Sequence, residues 1–365
     1  MTAAALPLHG LTIVDLTRNA PGPYATQLLA RLGARIIVVT GGPVGEALPE
    51  LSYGKTQISL DLRTESARLA LRGLLRSADV FVESFRPGVV ERWGLTRAAL
   101  DELNPRLVHC SLTGYGHGRQ KSDQAGHDIN YLAATGVLGS LGPVVGPPLP
   151  PLNLVADMAG GGLWAAFAIL AALHERERTG RGHFVDAAMV DGVLSMMGMW
   201  KSAWGSSVLP ARGRGLVSGE APFYRCYECA DSRWVAVGAI EPKFFAEFWK
   251  VLEIGGPTPN HLDQAGWGEL TQVLANAIKG RSRDEWAALA TRDSCLSPVL
   301  DPGEVSTLVG DSQPEGFWLG EVAEDPMADD TIEILREFGL PEEVVSEVSA
   351  ALSDFVSPQL EWPPV

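Results

Sequence analysis

Apolar and β-branched residues recur along the first third of the chain with two periods. Leu11-Thr-Ile-Val-Asp-Leu16 and Arg35-Ile-Ile-Val-Val39 are short strand-like runs, and between them Ala25, Leu28, Leu29 and Leu32 fall at i, i+3, i+4 and i+7, one face of a helix. That is a βαβ unit. Val80-Phe-Val82 and Leu107-Val-His-Cys-Ser-Leu112 repeat the strand pattern, and helical segments over 64–77 and 97–104 alternate with them. Such alternation predicts an α/β fold with a parallel, doubly wound sheet. Ligands of these sheets lie beyond the carboxyl ends of the strands, which here lead into Thr17–Pro23, Thr40–Pro43, Glu83–Gly88 and Thr113–His127.

A proline-rich crossing from Pro143 to Pro151 precedes a long helix expected over Leu163–Arg178, stopped by Gly180 and Gly182. A strand, His183-Phe-Val185, and a helix over 187–204 follow. Periodicity is lost over 205–221, where Gly205, Gly213, Gly215 and Gly219 mark a linker. Phe223–Cys226 and Trp234–Val237 flank Ala230-Asp-Ser as a hairpin that opens a smaller α+β domain. The predicted organisation is a large domain over 1–204, a linker over 205–221, a small domain over 222–305, and a return over 306–365. In that return, helices near 329–338 and 342–353 complete the large domain.

Composition narrows the function classes. The chain has 365 residues, 46% hydrophobic and 20% charged, a globular balance. With 29 basic against 44 acidic residues the net charge is −15, which argues against a nonspecific grip on nucleic acid or an anionic membrane. The N-terminus has no basic segment followed by an apolar one, as a secretory signal requires. The most apolar stretch, Gly161 to Leu173, is short of the ~20 residues of a bilayer span. Four cysteines, Cys110, Cys226, Cys229 and Cys295, make no disulfide scaffold. A soluble, cytoplasmic protein is expected. The first βα loop, Thr17-Arg-Asn-Ala-Pro-Gly-Pro23, has one glycine where a dinucleotide fingerprint needs three, and no Walker loop, H-E-x-x-H or G-x-S-x-G occurs.

Three acid–base candidates remain. In Gly126-His127-Asp128-Ile-Asn-Tyr131, Asp128 reads as the N-cap of a helix and His127 as the residue just outside, suited to acid–base work or simply exposed. Asp157 precedes the long apolar helix, where a carboxylate serves either as a cap or as a reacting group stabilised by helix-end N–H groups. Glu241 follows Trp234–Ile240 and precedes Pro242, at the start of a helix over Lys243–Leu252; on local sequence it is only a dipole partner. Cys226-Tyr-Glu-Cys229 has no second pair to complete a zinc site, and no metal is expected. Arg86, Arg92, Arg63 and Lys55 lie near strand ends and suit phosphates.

Together these stretches resemble the family III CoA-transferase superfamily, and within it the α-methylacyl-CoA racemases. The resemblance runs from about Leu8 to Leu352. It is carried by Gly126–Tyr131, by Pro151-Leu-Asn-Leu-Val-Ala-Asp157, by Gly180-Arg-Gly-His-Phe-Val-Asp-Ala-Ala-Met-Val-Asp-Gly192, and by Tyr227-Glu-Cys-Ala-Asp through Val237-Gly-Ala-Ile-Glu-Pro242. Phe85-Arg-Pro-Gly-Val-Val-Glu-Arg-Trp-Gly-Leu95 marks the superfamily as a whole. The resemblance implies a Rossmann-like large domain, a smaller α+β domain and an intertwined homodimer. It implies His127 and Asp157 as the two acid–base residues, Glu241 from the partner chain supporting His127, and the backbone N–H of Asp128 as an oxyanion donor. It also implies CoA binding by Leu60, Leu62, Arg63, Ser84, Phe85, Arg86, Arg92, Gly126 and Tyr131. No cofactor is expected, coenzyme A being part of the acyl-CoA substrate.

The implied activity is racemisation of 2-methylacyl-CoA thioesters through an enolate. Two alternatives are a family III CoA-transferase with Asp157 as nucleophile, through an aspartyl-CoA thioester, and a non-catalytic acyl-CoA-binding protein. The joint presence of His127, Asp157 and Glu241 favours racemase. Two stretches depart from the family pattern. Val38-Val-Thr-Gly-Gly42 has no basic residue just after the second strand, where racemases of the family often carry one, so one contact to the CoA phosphates is missing. Gly114-Tyr-Gly-His-Gly-Arg-Gln-Lys121 replaces the common Gly-x-Gly-Gln-x-Gly-Pro form and adds His117 and Lys121 near the site.

Overall fold

The β-branched runs are buried on both faces and become the strands of a parallel sheet. The computed structural model describes residues 6–41, 51–307 and 330–353. Its six-stranded sheet comprises β1 (Thr12–Leu16), β2 (Arg35–Thr40), β3 (Thr56–Ser59), β4 (Val80–Glu83), β5 (Val108–Thr113) and β6 (Phe184–Ala188), all pairs parallel, in the order β3-β2-β1-β4-β5-β6. This is the doubly wound order, an α/β fold whose strand order reverses between β1 and β4. Gly42 and Pro43, at the end of the loop expected after β2, lie outside the described residues.

β3 escapes periodicity because Thr56-Gln-Ile-Ser59 has one apolar residue. It forms because its outer edge is closed by the C-terminal segment: Asp330 N–H donates to Gln57 O (3.0 Å), and Ser59 N–H to Thr331 Oγ1 (2.7 Å). The helices Thr331–Glu337 and Glu342–Ser353 bury Ile334, Leu335, Val345 and Val348 among Leu71, Leu74 and Leu75 of the helix Glu65–Ser77.

The long apolar helix starts earlier than its sequence indicates. A π-helical stretch, Leu154–Leu163, runs without a break into the α-helix Trp164–Thr179, giving 26 residues with a mean hydropathy of 1.7 over the most apolar window. By length and composition alone it is sufficient to cross a membrane, unlike the shorter Gly161–Leu173. In this structure its buried face packs on the sheet, and Arg176 is buried against Asp79 (3.0 Å). Gly160, Gly161 and Gly162 read as poor helix formers, yet they are where neighbouring backbones approach. A Cβ on Gly162 would stand 2.6 Å from Pro21 O, and one on Gly192 would stand 2.0 Å from Gly160 O. The expected helix over 187–204 is divided into Met189–Met196 and Gly198–Ala203.

The described chain forms two compact units. The first takes 6–41, 51–135, 151–196 and 330–353; the second takes 136–150 and 197–307, so the division falls at 196/197 and the proline-rich crossing belongs mainly to the second unit. The second unit contains an antiparallel sheet of β7 (Tyr224–Glu228), β8 (Trp234–Gly238) and β9 (Leu296–Pro298), the last unforeseen because it is three residues long. Phe223, Phe245, Phe248 and Trp286 form its core. Cys226 is exposed and Cys229 buried, and all four cysteines are free.

The glycine contacts generate a paired test. Gly192→Ala forces the Cβ into backbone and is expected to cost at least 1–3 kcal/mol of stability. Gly268→Ala, in the helix Trp267–Ile278 with nothing within 4 Å, is expected to gain roughly 0.5 kcal/mol. Urea unfolding of both variants checks the opposite signs.

Candidate active site

The loop after β5 ends at His127, whose carbonyl oxygen accepts from Asn130 N–H (2.9 Å) and Tyr131 N–H (3.3 Å) while its own N–H donates to Asn130 Oδ1 (3.0 Å). His127 is therefore the N-cap of the helix Asp128–Thr135, closed reciprocally by the third helical residue. This corrects the assignment of Asp128 as the cap. Asp128 occupies the first helical position, and its carboxylate turns inward. It is 6% exposed, and its Oδ2 accepts from the N–H groups of Ala156 (2.7 Å) and Asp157 (2.9 Å). These N–H groups belong to the first turn of Leu154–Leu163, where no intrahelical acceptor exists. One buried carboxylate thus joins the helix start that carries His127 to the helix start that carries Asp157.

Asp157 is not a cap either, because it lies inside that first turn. The residue before the helix is Asn153, which makes no capping bond; its Nδ2 donates to Asp157 Oδ2 (3.3 Å). Burial holds the Asp157 carboxyl above its ordinary value; the Asn153 bond opposes this, the neighbouring Asp128 charge adds to it and His127 opposes it. The His127 side chain is exposed, and among the described residues no hydrogen bond reaches its imidazole.

Tyr131 forms the inner wall. Its ring meets Tyr115 edge-on (5.2 Å) and its hydroxyl donates to Gly126 O (2.6 Å). A Cβ on Gly126 would be 2.9 Å from that ring, so glycine precedes the histidine for steric reasons. Burial pushes the Tyr131 hydroxyl up to about 12, with Tyr115 and Asp157 adding and Arg86 opposing, which puts Arg86 among the electrostatic neighbours of the site. Phe85 N–H donates to the buried carboxylate of Glu83 (2.7 Å), and the Phe85 ring packs against Trp93 (5.0 Å). Ser84 Oγ accepts from Arg18 N–H (3.0 Å). Arg86 and Arg92 are exposed.

Other expected ligand contacts fare differently. Leu60 is fully buried in the core, leaving only its main chain for a ligand, and Leu62 packs against the same core. Arg63 is exposed but held by Asp61 through two bonds of 2.8 Å. Lys55 is not a phosphate contact. It is buried, its Nζ donates to Pro23 O and Thr26 Oγ1 (both 2.8 Å), and burial lowers its pKa to about 8 against the pull of Asp15.

Residues 8–317 match CoA-transferase family III. The chain belongs to that family. It is 36% identical to α-methylacyl-CoA racemase of Homo sapiens, over 94% of this chain and 97% of that protein. It is 30% identical to succinyl-CoA:glutarate CoA-transferase of Homo sapiens, over 78% of this chain and 69% of that one. Its fold superposes on a CaiB/BaiF family protein from Brucella suis with a TM-score of 0.75 at 25% identity, covering 92% and 100% of the two chains.

Within this family III fold Glu241 belongs to the second unit. It is the N-cap of the helix Pro242–Val251, one position earlier than its expected place in the first turn. It is exposed, and its side chain makes no capping bond. In the divergent loop, His117 Nε2 lies 2.8 Å from Ser111 Oγ and Lys121 Nζ lies 5.8 Å from the Tyr115 ring. Asn130, Asn153 and Arg18 were invisible to sequence reasoning. The spacing of Asn153 and Asp157, one helical turn, becomes a signal only once the helix is known to begin at 154.

Asn153 favours the ionised form of Asp157, so removing its amide moves the pKa further up. Carboxyl 13C NMR is expected to show Asp157 titrating above the ordinary aspartate range, about 3.9, and Asn153→Ala shifting it higher still. A downward shift would contradict the bond.

Proposed function

We propose that this family III enzyme racemises 2-methylacyl-CoA thioesters by two-base 1,1-proton transfer. The carrying observation is the Asp128 carboxylate, which holds the helix starts of His127 and Asp157 together and keeps an imidazole and a carboxylate within electrostatic reach. The thioester acidifies the α-carbon. One group removes the α-proton from one face, an enolate forms, and the conjugate acid of the other returns a proton to the opposite face. Asp128 N–H, free at the first helical position, donates to the enolate oxygen. Arg86 and Arg92 hold CoA phosphates, with Ser84, Phe85 and Tyr131 lining the approach. No further cofactor takes part.

In this reading two chains form an intertwined dimer in the cytoplasm, and Glu241 of the second chain orients His127 and stabilises its protonated form. The exposed His127 ring, which no hydrogen bond reaches among the described residues, and the exposed Glu241 side chain, which makes no capping bond, support the pairing. The second reading is CoA transfer, with Asp157 attacking the thioester carbonyl and expelling CoA thiolate to form a mixed anhydride, and the thiolate then attacking the Asp157 carbonyl to give an aspartyl-CoA thioester with release of the donor carboxylate. The transferase relative favours it; it gives His127 and Glu241 no task.

Incubation of a single 2-methylacyl-CoA enantiomer in D2O is expected to give α-deuteration by NMR and loss of optical purity. His127→Ala and Asp157→Ala each lower racemisation by roughly 10²–10⁴-fold. Racemisation by His127→Ala at the parental rate would remove the two-base assignment. A hydroxylamine-trapped thioester at Asp157, with CoA passed to a second acid, would transfer the function to the second reading.

Glu241→Gln is expected to lower racemisation while leaving the fold intact, because the amide keeps the shape of the side chain and removes its charge. Verified heterodimers of Glu241→Gln and His127→Ala chains contain one intact site and should regain activity. Inactive heterodimers would exclude the cross-chain pair.

A further inference from the structure

Arg18 follows β1 by two residues, and its N–H is bonded to Ser84 Oγ, one residue past β4. These are the two strands between which the sheet order reverses, and the crevice beyond their carboxyl ends is where open α/β sheets take ligands. The Arg18 side chain runs across that crevice. Its guanidinium carbon lies 5.9 Å from the Phe85 ring centroid, and its Nη2 lies 3.5 Å from the point where a Cβ on Gly41 would stand. Gly41 directly follows β2, so a side chain that starts at β1 covers the position at which the chain lacks a basic residue.

Like Arg86 and Arg92, and unlike several other surface arginines, Arg18 has no carboxylate partner among the described residues. Arg63 is bound by Asp61, Arg35 by Glu337 and Arg119 by Asp191. Arg18 is exposed. Its planar fork of five N–H donors matches phosphate oxygens. The main-chain bond to Ser84 fixes where the side chain begins, and the Phe85 ring orients the guanidinium, so little ordering remains to be done on binding.

We infer that Arg18 is a phosphate-binding residue for the coenzyme A part of the substrate, supplying from the β1 loop the cation absent after β2. This rests on the acyl-CoA reading above. Coenzyme A offers two sources of the same chemistry, its pyrophosphate and its ribose 3′-phosphate.

Calorimetry of the full chain with CoA, dephospho-CoA and pantetheine tests the inference. Arg18→Met is expected to weaken CoA about tenfold, the range of a charge-assisted hydrogen bond, to leave pantetheine unchanged, and to raise KM for acyl-CoA with kcat within about twofold. A loss seen with CoA but not dephospho-CoA assigns the 3′-phosphate; an equal loss with both assigns the pyrophosphate. Either supports the inference. In Arg18→Met/Gly41→Arg the new side chain enters the space that Nη2 has left, and CoA affinity should return to within about threefold of the parent. Parental affinity for CoA in Arg18→Met, an equal loss for pantetheine, or no recovery in the double variant would overturn it. Failure of the parent itself to bind CoA would instead bring down the acyl-CoA reading, and Arg18 with it.

Discussion

The site depends on one buried carboxylate. Asp128 is drawn from water into a position where two N–H groups from a helix start point at its Oδ2, and these two hydrogen bonds offset part of its desolvation, Oδ1 being buried without a partner among the described residues. Because Asp128 immediately follows His127, and the donors include the N–H of Asp157, the bonds register the two helices that carry the candidate bases. Without that acceptor the first turn of Leu154–Leu163 would hold orphan donors in a half-buried setting.

The same device recurs around the crevice. Asp15 Oδ1 accepts from Thr17 N–H (2.7 Å), Glu83 Oε2 from Phe85 N–H (2.7 Å), and Asp186 Oδ2 from His117 N–H (3.0 Å). Each carboxylate belongs to a parallel strand, Asp15 and Glu83 near its end and Asp186 at the middle of β6, and holds the main chain of a loop, two of them the loops that follow β1 and β4. An acidic side chain suits that place because loop N–H groups have no ladder partner once the strand has ended. The sheet thereby supplies rigid positions, and the loops present chemistry without needing apolar packing of their own.

Both proposed readings use Asp157, and its surroundings suit proton transfer. Burial brings its pKa closer to that of an imidazole, while Asn153 and His127 restrain the shift. A base and an acid that must exchange roles in the two directions of a racemisation work best when their proton affinities are not far apart. Tyr131, held neutral by burial, walls this pair without competing for the proton.

Periodicity along the chain determined the α/β class, five of the six parallel strands, the helix over 65–77 and the hairpin of the second unit, because alternating or helical spacing of apolar residues is a local property. The motifs around His127, Asp157 and Glu241 pointed to the family for the same reason. Tertiary structure alone decided which residue caps which helix. Asp128 bonds to a helix start 28 residues away, β3 is closed by a segment from the far end of the chain, and Gly160 to Gly162 stand where Val193, Met189 and Pro21 leave no room for a Cβ. Lys55, expected to meet phosphates, is buried beneath the first loop, while Arg18, for which local sequence made no claim, is exposed beside Phe85. Such outcomes depend on contacts between segments far apart in sequence, and hydrophobic spacing carries no information about those.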